Sequence, residues 1–236
     1  ENRGACAARN TGAAFASGKY FFFLDDDDEF LPRKVSTQVS FLEKNPEFGG
    51  HACAFIKNRN GVDFPSTDGM PVIGDLKNFL MYGNIYTPML CLRKDVFERS
   101  GGFGDIPKFQ DMFFVCILLS HDIRIFALEE ALFIQHEHIE ERISNRSVKN
   151  AQIAVSVIQE FSKGYHSLFS EEEWKQAQIR FTLLLATTYY SGSYFNRLKS
   201  NKYWLRCYTL SKQAKYLYPM IKSIFPHSWI KALAKT

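Results

Sequence analysis

The sequence lacks the patterns that mark a disulfide scaffold, a zinc site or a membrane span. Its five cysteines are scattered, odd in number and without a CxxC pair, which suits a reducing cytosol better than a disulfide framework or a zinc site. No apolar run approaches the roughly 20 residues that a transmembrane helix needs. Internal repeats and low-complexity segments are also missing. These absences favour a globular cytoplasmic protein, and 236 residues allow one sizeable core with an appendage.

Charge is distributed unevenly along the chain, although the net charge is only +4. From Trp174 to Thr236 there are eleven Lys and Arg and no Asp or Glu, so the preceding residues carry an excess of acid. This division predicts two surfaces, an acidic one that could hold a cation and a basic one that faces an anionic partner.

The amino end carries neither an initiating methionine nor a signal-peptide pattern. The pattern of the first residues is typical of the interior of a domain rather than of its start. We therefore expect a fragment whose upstream part is missing.

A strand that ends in an acidic run is the clearest feature near the amino end. The Ala-rich stretch Ala5–Ala16 predicts a helix, and Gly18 after it is typical of a helix end. The apolar and aromatic run Tyr20–Leu24 predicts a buried central strand of a parallel sheet. Four aspartates, Asp25 to Asp28, then fall at the carboxyl end of that strand, the edge where open α/β sheets bind ligands.

Strands and helices continue to alternate beyond the acidic run. Pro32 is placed to begin a helix with Val35, Val39 and Leu42 on its inner face. The further elements predicted are strands at 51–56, 90–92, 123–127 and 132–136, helices at 75–82, 95–99 and 111–120, and a turn at 58–61. After Ser147 only helices are predicted, at 148–162, 171–190, 203–217 and 219–225. We therefore expect an α/β domain over 1–147 and a helical, basic region over 148–236.

The acidic run has two interpretations. Four adjacent carboxylates at the mouth of a buried strand repel one another unless a cation is present. Mg²⁺ or Mn²⁺ held by one or two carboxylates completes its shell with phosphate oxygens and water, so the first interpretation implies a diphosphate substrate. The alternative is a charged turn on a solvated loop.

The residues around the acidic run resemble a known family. Residues 4–12 read GACAARNTG, residues 16–20 read ASGKY and residues 23–32 read FLDDDDEFLP. This is similar to the G-x3-ARNxG, A-x-G-x-Y-x-x-FLDxDD-x3-P signature of family 2 glycosyltransferases with the GT-A fold. Later segments, LRKDVF at 92–97, GGF at 101–103 and QD at 110–111, extend the likeness over residues 1 to about 147.

The fold implied by this resemblance is α/β of the GT-A type, Rossmann-like, with a mostly parallel sheet flanked by helices and a helical carboxy-terminal extension. It also implies that the first strands of the sheet, which help to hold the nucleotide base, are absent before Glu1.

The resemblance also implies which residues bind the donor. Asp25 is expected near the nucleotide ribose and Asp27 on the metal, with Asp26 beside them. Arg9 is expected on the diphosphate, a task for which its forked guanidinium is suited. The alternative for Arg9 is a solvated helix residue.

For the chemistry, the resemblance implies that Asp111 is the catalytic base, which removes the proton of the acceptor hydroxyl in an inverting transfer. Gln110 stands where the family usually has Glu, and we expect it to affect acceptor recognition together with Gly102 and Phe103. Asp111 also begins an apolar helix, so a helix N-cap is the structural alternative.

Two histidines, His136 and His138, lie at and just beyond the end of the last predicted strand. Many GT-A enzymes place a histidine here as a further metal ligand, which implies that role for His136 or His138, with His138 favoured. A pair one residue apart is a weak metal signal by itself, and the alternative is a histidine that packs or hydrogen-bonds beside the diphosphate.

The implied function is a metal-dependent inverting transfer of a sugar from a nucleotide-sugar donor, most often UDP-linked in this family, with Mn²⁺ or Mg²⁺ as cofactor. The acceptor would be a glycan or lipid-linked glycan in cell-surface polysaccharide synthesis. One alternative is a non-catalytic nucleotide- or glycan-binding subunit with the same fold, which Gln110 and the missing amino end leave open. Another is a nucleotidyltransferase, for which no Gly-rich phosphate loop is present.

Basic and aromatic residues interleave from Tyr194 to Thr236. Such a composition suits the surface of an anionic membrane, which would place the protein on the inner face of the plasma membrane. The alternative is a helical cap whose aromatic rings pack on the domain and whose lysines are exposed to solvent. Nucleic acid is not expected as a partner because no nucleic-acid motif accompanies the basic residues.

Overall fold

The chain forms two compact units, residues 1–140 and 141–236. The computed structural model describes residues 3–65, 71–137, 147–191 and 193–224. The sequence predicted a boundary after residue 147, whereas the division falls between 140 and 141, within a stretch that lies outside the described residues.

The first unit alternates strands and helices. Its helices are α1 (Gly4–Phe15), α2 (Lys34–Lys44), α3 (Leu76–Tyr82), α4 (Lys94–Arg99) and α5 (Gln110–Ser120). Its strands are β1 (Tyr20–Phe22), β2 (Asp28–Phe30), β3 (Gly50–Arg59), β4 (Val62–Pro65), β5 (Leu90–Arg93) and β6 (Ile125–Glu137). The predicted α/β class is therefore present.

The sheet has the order β1-β5-β3-β6-β2, with β4 paired to β3. Among the described strands only β3 and β6 are parallel, and the other pairs are antiparallel. The expectation of a mostly parallel sheet is thus wrong for this part of the chain. A tight turn at Asn60 and Gly61, both with positive φ, forces β4 to return antiparallel along β3. Strand β1 is at one end of the order, so its prediction as a central strand is also wrong here.

Strand β6 is longer than the sequence predicted. Two strands were expected, at 123–127 and 132–136, and two glutamates, Glu129 and Glu130, lie between them. In the structure one strand runs through both segments and pairs with β3, with register shifts near Ala52 and Ala54. These irregularities accommodate the polar interruption without ending the strand.

Helix α2 fully buries only Leu42 of the face that was predicted. Val35 is 48% exposed, whereas Lys34, Gln38 and Leu42 are fully buried. Lys34 Nζ donates to Gln38 Oε1 at 2.7 Å, and Gln38 Nε2 donates to the carbonyl of His51 at 2.9 Å. Buried polar groups are tolerated when they are hydrogen-bonded, so the inner face is shifted by one residue from the apolar pattern.

The second unit is helical in its described residues. Its helices are α6 (Val148–Lys163), α7 (Glu171–Tyr190), α8 (Tyr194–Ser211) and α9 (Tyr218–Ile224). Serines cap the first three: the hydroxyls of Ser147, Ser170 and Ser193 each accept an amide hydrogen bond from the first turn. Helix α8 was predicted at 203–217 but begins nine residues earlier, where Ser193 satisfies its amino end.

Candidate active site

The acidic run forms a tight turn between two strands. Strand β1 ends at Phe22, Asp26 and Asp27 form the turn, and Asp28 begins β2. The amide of Asp28 donates to the carbonyl of Asp25 at 3.1 Å and closes the turn. The carboxylates therefore lie beyond the end of β1, as the sequence predicted.

Arg9 brings the acidic turn and helix α5 together. Its Nη2 lies 2.8 Å from Asp25 Oδ1, and its Nη1 lies 3.7 Å from Asp111 Oδ1. The Arg9 side chain is only 18% exposed, so a solvated helix residue, the alternative weighed for it, is excluded. Three residues that the family signature singles out thus form one charged cluster.

Asp111 is the second residue of α5 and does not cap it. The N-cap is Phe109, which has a left-handed backbone with φ 60°, so the N-cap interpretation of Asp111 is wrong. The Asp111 carboxylate instead accepts a hydrogen bond from the hydroxyl of Thr87. The first turn of a helix also favours a negative charge at this position.

The surroundings of Asp111 act on its pKa in opposite directions. Burial is the largest effect and raises the pKa above the usual range of an aspartate, and the nearby charge of Asp25 raises it further. Hydrogen bonds from Thr87 and the guanidinium of Arg9 lower the pKa. A carboxyl whose pKa is raised toward the working pH is a better general base than an ordinary surface aspartate.

The glycine segment beside the cluster is fixed to α1. Gly101 and Gly102 have φ of 76° and 75°, which favours glycine at both positions. Asn10 donates through Nδ2 to the carbonyl of Phe103 at 2.8 Å and accepts through Oδ1 from the Phe103 amide at 2.8 Å. This bond pair holds the segment next to Arg9, whose guanidinium carbon lies 5.4 Å from the Phe103 ring.

The predicted acceptor residues occupy different environments. The Phe103 ring is buried and stacks on Phe114 with a centroid distance of 4.0 Å, and Gly102 is also buried. Gln110 is half-buried at the start of α5, next to Asp111. Contact with an acceptor stays a prediction for all three, and the structure gives Phe103 a packing role in addition.

Asp27 and His136 are at the same end of one strand pair. Asp28 is opposite Gln135 in the β2–β6 ladder, so the next positions outward along the two chains are Asp27 and His136. The Nε2 of His136 lies 3.7 Å from Glu29 Oε2. His138 lies outside the described residues, and within those residues no three His, Cys, Asp or Glu side chains are arranged to hold a metal.

An open cleft of about 390 Å³ adjoins the cluster. Arg9 and the small residues Gly12, Ala13 and Ala16 of α1 line one side of it, and every residue from Tyr20 to Leu24 lines the other. Because alternate residues of a strand point to opposite faces, a lining of consecutive residues means that the cleft runs along the edge of β1.

Sequence reasoning missed Thr87 and Asn10 as members of this site. No spacing in the sequence pointed to the Thr87 hydroxyl. Asn10 belongs to the ARN segment of the signature, and its position next to Arg9 in the sequence could have indicated that it lies in the site.

Residues 1–102 match the profile of glycosyl transferase family 2. This match covers the acidic turn, Arg9 and the glycine segment. This part of the chain is similar to glycosyl transferase family 2. The family resemblance read from the sequence is thus confirmed.

Proteins that are similar to this chain are named as glycosyltransferases. An uncharacterized glycosyltransferase of Haemophilus influenzae is 26% identical over 190 residues, which are 78% of this chain and 63% of that protein. The Escherichia coli UDP-Glc:α-D-GlcNAc-diphosphoundecaprenol β-1,3-glucosyltransferase WfaP is 36% identical over 55 residues, 23% of this chain and 22% of that enzyme. The chain therefore spans less than two thirds of the length of these relatives.

The fold is that of GT-A glycosyltransferases, as predicted. The mannosyltransferase PcManGT from Pyrobaculum calidifontis, solved in complex with GDP-Man and Mn²⁺, superposes with a TM-score of 0.51 at 17% identity. The match covers 95% of this chain and 64% of that protein. At this identity the likeness establishes the fold alone.

Proposed function

We propose that the protein is an inverting glycosyltransferase in which Asp111 is the catalytic base. The observation that carries this proposal is the cluster of Asp111, Arg9, Asp25 and Thr87. It places a carboxyl of raised pKa within 3.7 Å of a guanidinium that also binds the acidic turn. The match of residues 1–102 to the profile of glycosyl transferase family 2 supports a transferase.

The proposed reaction needs one proton acceptor and one stabilised leaving group. The ionised Asp111 carboxylate takes the proton of the acceptor hydroxyl while that oxygen forms a bond to the anomeric carbon. The bond between this carbon and the diphosphate breaks at the same time, and its electron pair leaves with the nucleoside diphosphate. Arg9 lies beside the carboxylates of Asp25 and Asp111, and its guanidinium can donate two hydrogen bonds to the phosphate oxygens of the donor.

The donor set of the acidic turn fits a hard divalent cation. Asp25, Asp26 and Asp27 offer carboxylate oxygens, the ligands that Mg²⁺ and Mn²⁺ prefer, and Asp26 is exposed. Asp27 would hold the ion. His136, which occupies the position of β6 opposite Asp27, is a second candidate ligand. The absence of a three-residue metal cluster among the described side chains agrees with an ion that takes its remaining ligands from phosphate and water. Such an ion would neutralise charge on the leaving diphosphate.

The donor and acceptor classes follow from the relatives. WfaP is named for transfer from UDP-Glc to a diphosphoundecaprenol-linked sugar. We infer that this chain takes a nucleotide sugar, with UDP the first nucleotide to test, and extends a lipid-linked glycan in polysaccharide synthesis.

A lipid-linked acceptor requires the enzyme to reach a membrane surface. None of the helices in the described parts of the chain is long and apolar enough to span one. On α8, the residues Phe195, Lys199, Lys202 and Arg206 are exposed, and their spacing of four, three and four places them on one face. Since residues 174–236 contain no acid, we propose that this face contacts anionic lipid.

The opposite face of α8 serves as a helical cap. Trp204 and Cys207 are buried; Trp204 packs against Tyr190 of α7, and Cys207 Sγ lies 3.9 Å from the carbonyl of Ile179. Trp204 is therefore not available for membrane contact. The helical-cap interpretation applies to this packed face, and membrane contact stays a proposal for the exposed face.

Vesicle sedimentation tests the membrane proposal. The triple substitution Lys199→Gln, Lys202→Gln and Arg206→Gln should weaken binding to phosphatidylglycerol vesicles by about 100-fold, at about 1 kcal/mol for each charge. The control triple Lys149→Gln, Lys163→Gln and Lys175→Gln changes the net charge equally on α6 and α7. Equal losses in both triples would contradict a specific face.

Nucleoside diphosphate release tests the transferase proposal. The full-length protein is incubated with Mn²⁺, lipid-linked acceptors and a panel of nucleotide sugars. We expect release with at least one donor, and its loss on EDTA treatment or in Asp27→Asn. An intact protein that binds a donor but releases nothing with any acceptor would instead favour the non-catalytic binding subunit.

A further inference from the structure

Thr87 is a fully buried hydroxyl residue at the edge of the charged cluster. It begins a single 3-10 turn, Thr87–Met89, which leads directly into β5. Pro88 fixes the backbone of this turn, and the amide of Met89 donates to the carbonyl of Tyr86 at 2.9 Å. The position of Thr87 is therefore set by the backbone on both sides.

The hydroxyl of Thr87 donates to Oδ1 of Asp111, the oxygen that also faces Arg9. A threonine side chain has few rotamers because it is branched at Cβ. The rotamer that Thr87 adopts places its hydroxyl oxygen within hydrogen-bond distance of Asp111, the carboxylate proposed to accept the proton of the acceptor.

We propose that Thr87 is a positioning residue that orients the Asp111 carboxylate and stabilises its ionised form. The inference rests on the proposed role of Asp111. It differs from a packing role because a methyl group of the same size would fill the space but could not donate.

The groups that face Asp111 determine what loss of this donor does. From α1 these are Arg9 and the thiol of Cys6, and from the acidic turn Asp25. Burial and Asp25 raise the pKa of Asp111, whereas Thr87 and Arg9 lower it. Loss of the hydroxyl removes the largest of the influences that lower the pKa of Asp111, whereas Arg9 and the backbone hydrogen bond from Thr87 remain. The pKa of Asp111 therefore rises, and a smaller fraction of it is ionised on the acid side of the profile.

The pH dependence of kcat in Thr87→Val and Thr87→Ser, made in the full-length protein, tests this inference. Thr87→Val keeps the shape of the side chain but removes the hydrogen-bond donor. The acid limb of its kcat profile should move to higher pH by about one unit or more, because a hydrogen bond to a charged group is lost. On that limb kcat should fall about 10-fold, and the KM of the donor should change less than about 2-fold. Thr87→Ser keeps the donor and should keep the wild-type profile.

The possible outcomes separate the inference from the proposed function. An active wild type whose Thr87→Val variant has an unchanged acid limb would overturn the positioning role and leave the transferase intact. A folded Thr87→Ser variant with a shifted limb would overturn it as well, and this measurement remains if Thr87→Val does not fold. An inactive wild type would overturn both.

Discussion

Asn10 and Phe103 are joined by two hydrogen bonds, each 2.8 Å long, between one side-chain amide and both polar groups of one backbone residue. They are 93 residues apart in the sequence. The pair attaches the glycine segment to α1 next to Arg9. Two motifs that are distant in sequence, ARN and GGF, are thus parts of one structural unit.

Asn10→Ala should lower the free energy of unfolding by about 1–3 kcal/mol, because the Phe103 amide and carbonyl both lose their partner. Asn10→Asp keeps the acceptor but turns a carboxylate oxygen toward the Phe103 carbonyl, so its loss should be of similar size. The neighbouring Thr11→Ala removes an exposed hydroxyl and should change stability by less than about 0.5 kcal/mol. Urea denaturation measures all three; equal values for Asn10→Ala and Thr11→Ala would contradict the attachment.

Gly102→Ala should be more destabilising than Gly101→Ala. Both glycines have positive φ, so both substitutions carry a backbone cost of about 1–2 kcal/mol. A Cβ at Gly102 would meet Asn10 Oδ1 at 2.6 Å, whereas one at Gly101 meets nothing within 4 Å. Thermal or urea unfolding of the two variants therefore isolates the overlap with Asn10, and a smaller loss for Gly102→Ala would refute it.

His51 should make the fold sensitive to acid. Burial, aided by the charge of Lys34, lowers the pKa of His51 to about 4, below the value of about 6.5 in the unfolded chain. Its contribution to stability is complete above pH 6.5 and is lost as the pH falls through about 4. The full pKa difference corresponds to at most about 3 kcal/mol.

The variant His51→Phe tests this titration. The ring would remain in a cluster that already contains Phe41 and Phe126, and the Gln38 amide keeps its hydrogen bonds to the His51 and Met89 carbonyls. The stability lost between pH 7 and pH 4.5 should be smaller in the variant. An identical loss in both proteins would show that His51 does not titrate in this range.

Local signals in the sequence predicted much of the fold. Helix α7 has its predicted bounds because Ser170 and Glu173 form a capping box at its start. The inner face of α2 could not be predicted, since Lys34 is buried only because Gln38 Oε1 and a surface of aromatic rings, among them Phe30 at 4.9 Å, stabilise its ammonium. The aromatic rings come from other elements, and no periodicity in α2 reveals them.

The candidate site divides in the same way. Arg9, Asp25 and Asp111 were predicted because a long signature carries them, and the structure brings all three together. Thr87 contributes through one hydroxyl whose partner is 24 residues away. A contact of this kind has no spacing rule, so it becomes visible only when α5 and the turn before β5 are placed side by side.

The rate of sugar transfer by Asp111→Asn, measured together with donor affinity, is the most direct test of the catalytic base. The isosteric amide cannot accept the proton, so transfer should fall by about 10²–10⁴-fold while the Kd for the donor stays within about 3-fold. Asp95→Asn, on the exposed surface of α4, should behave as wild type in both assays. Transfer by Asp111→Asn at a rate close to that of Asp95→Asn would contradict the assignment of the base.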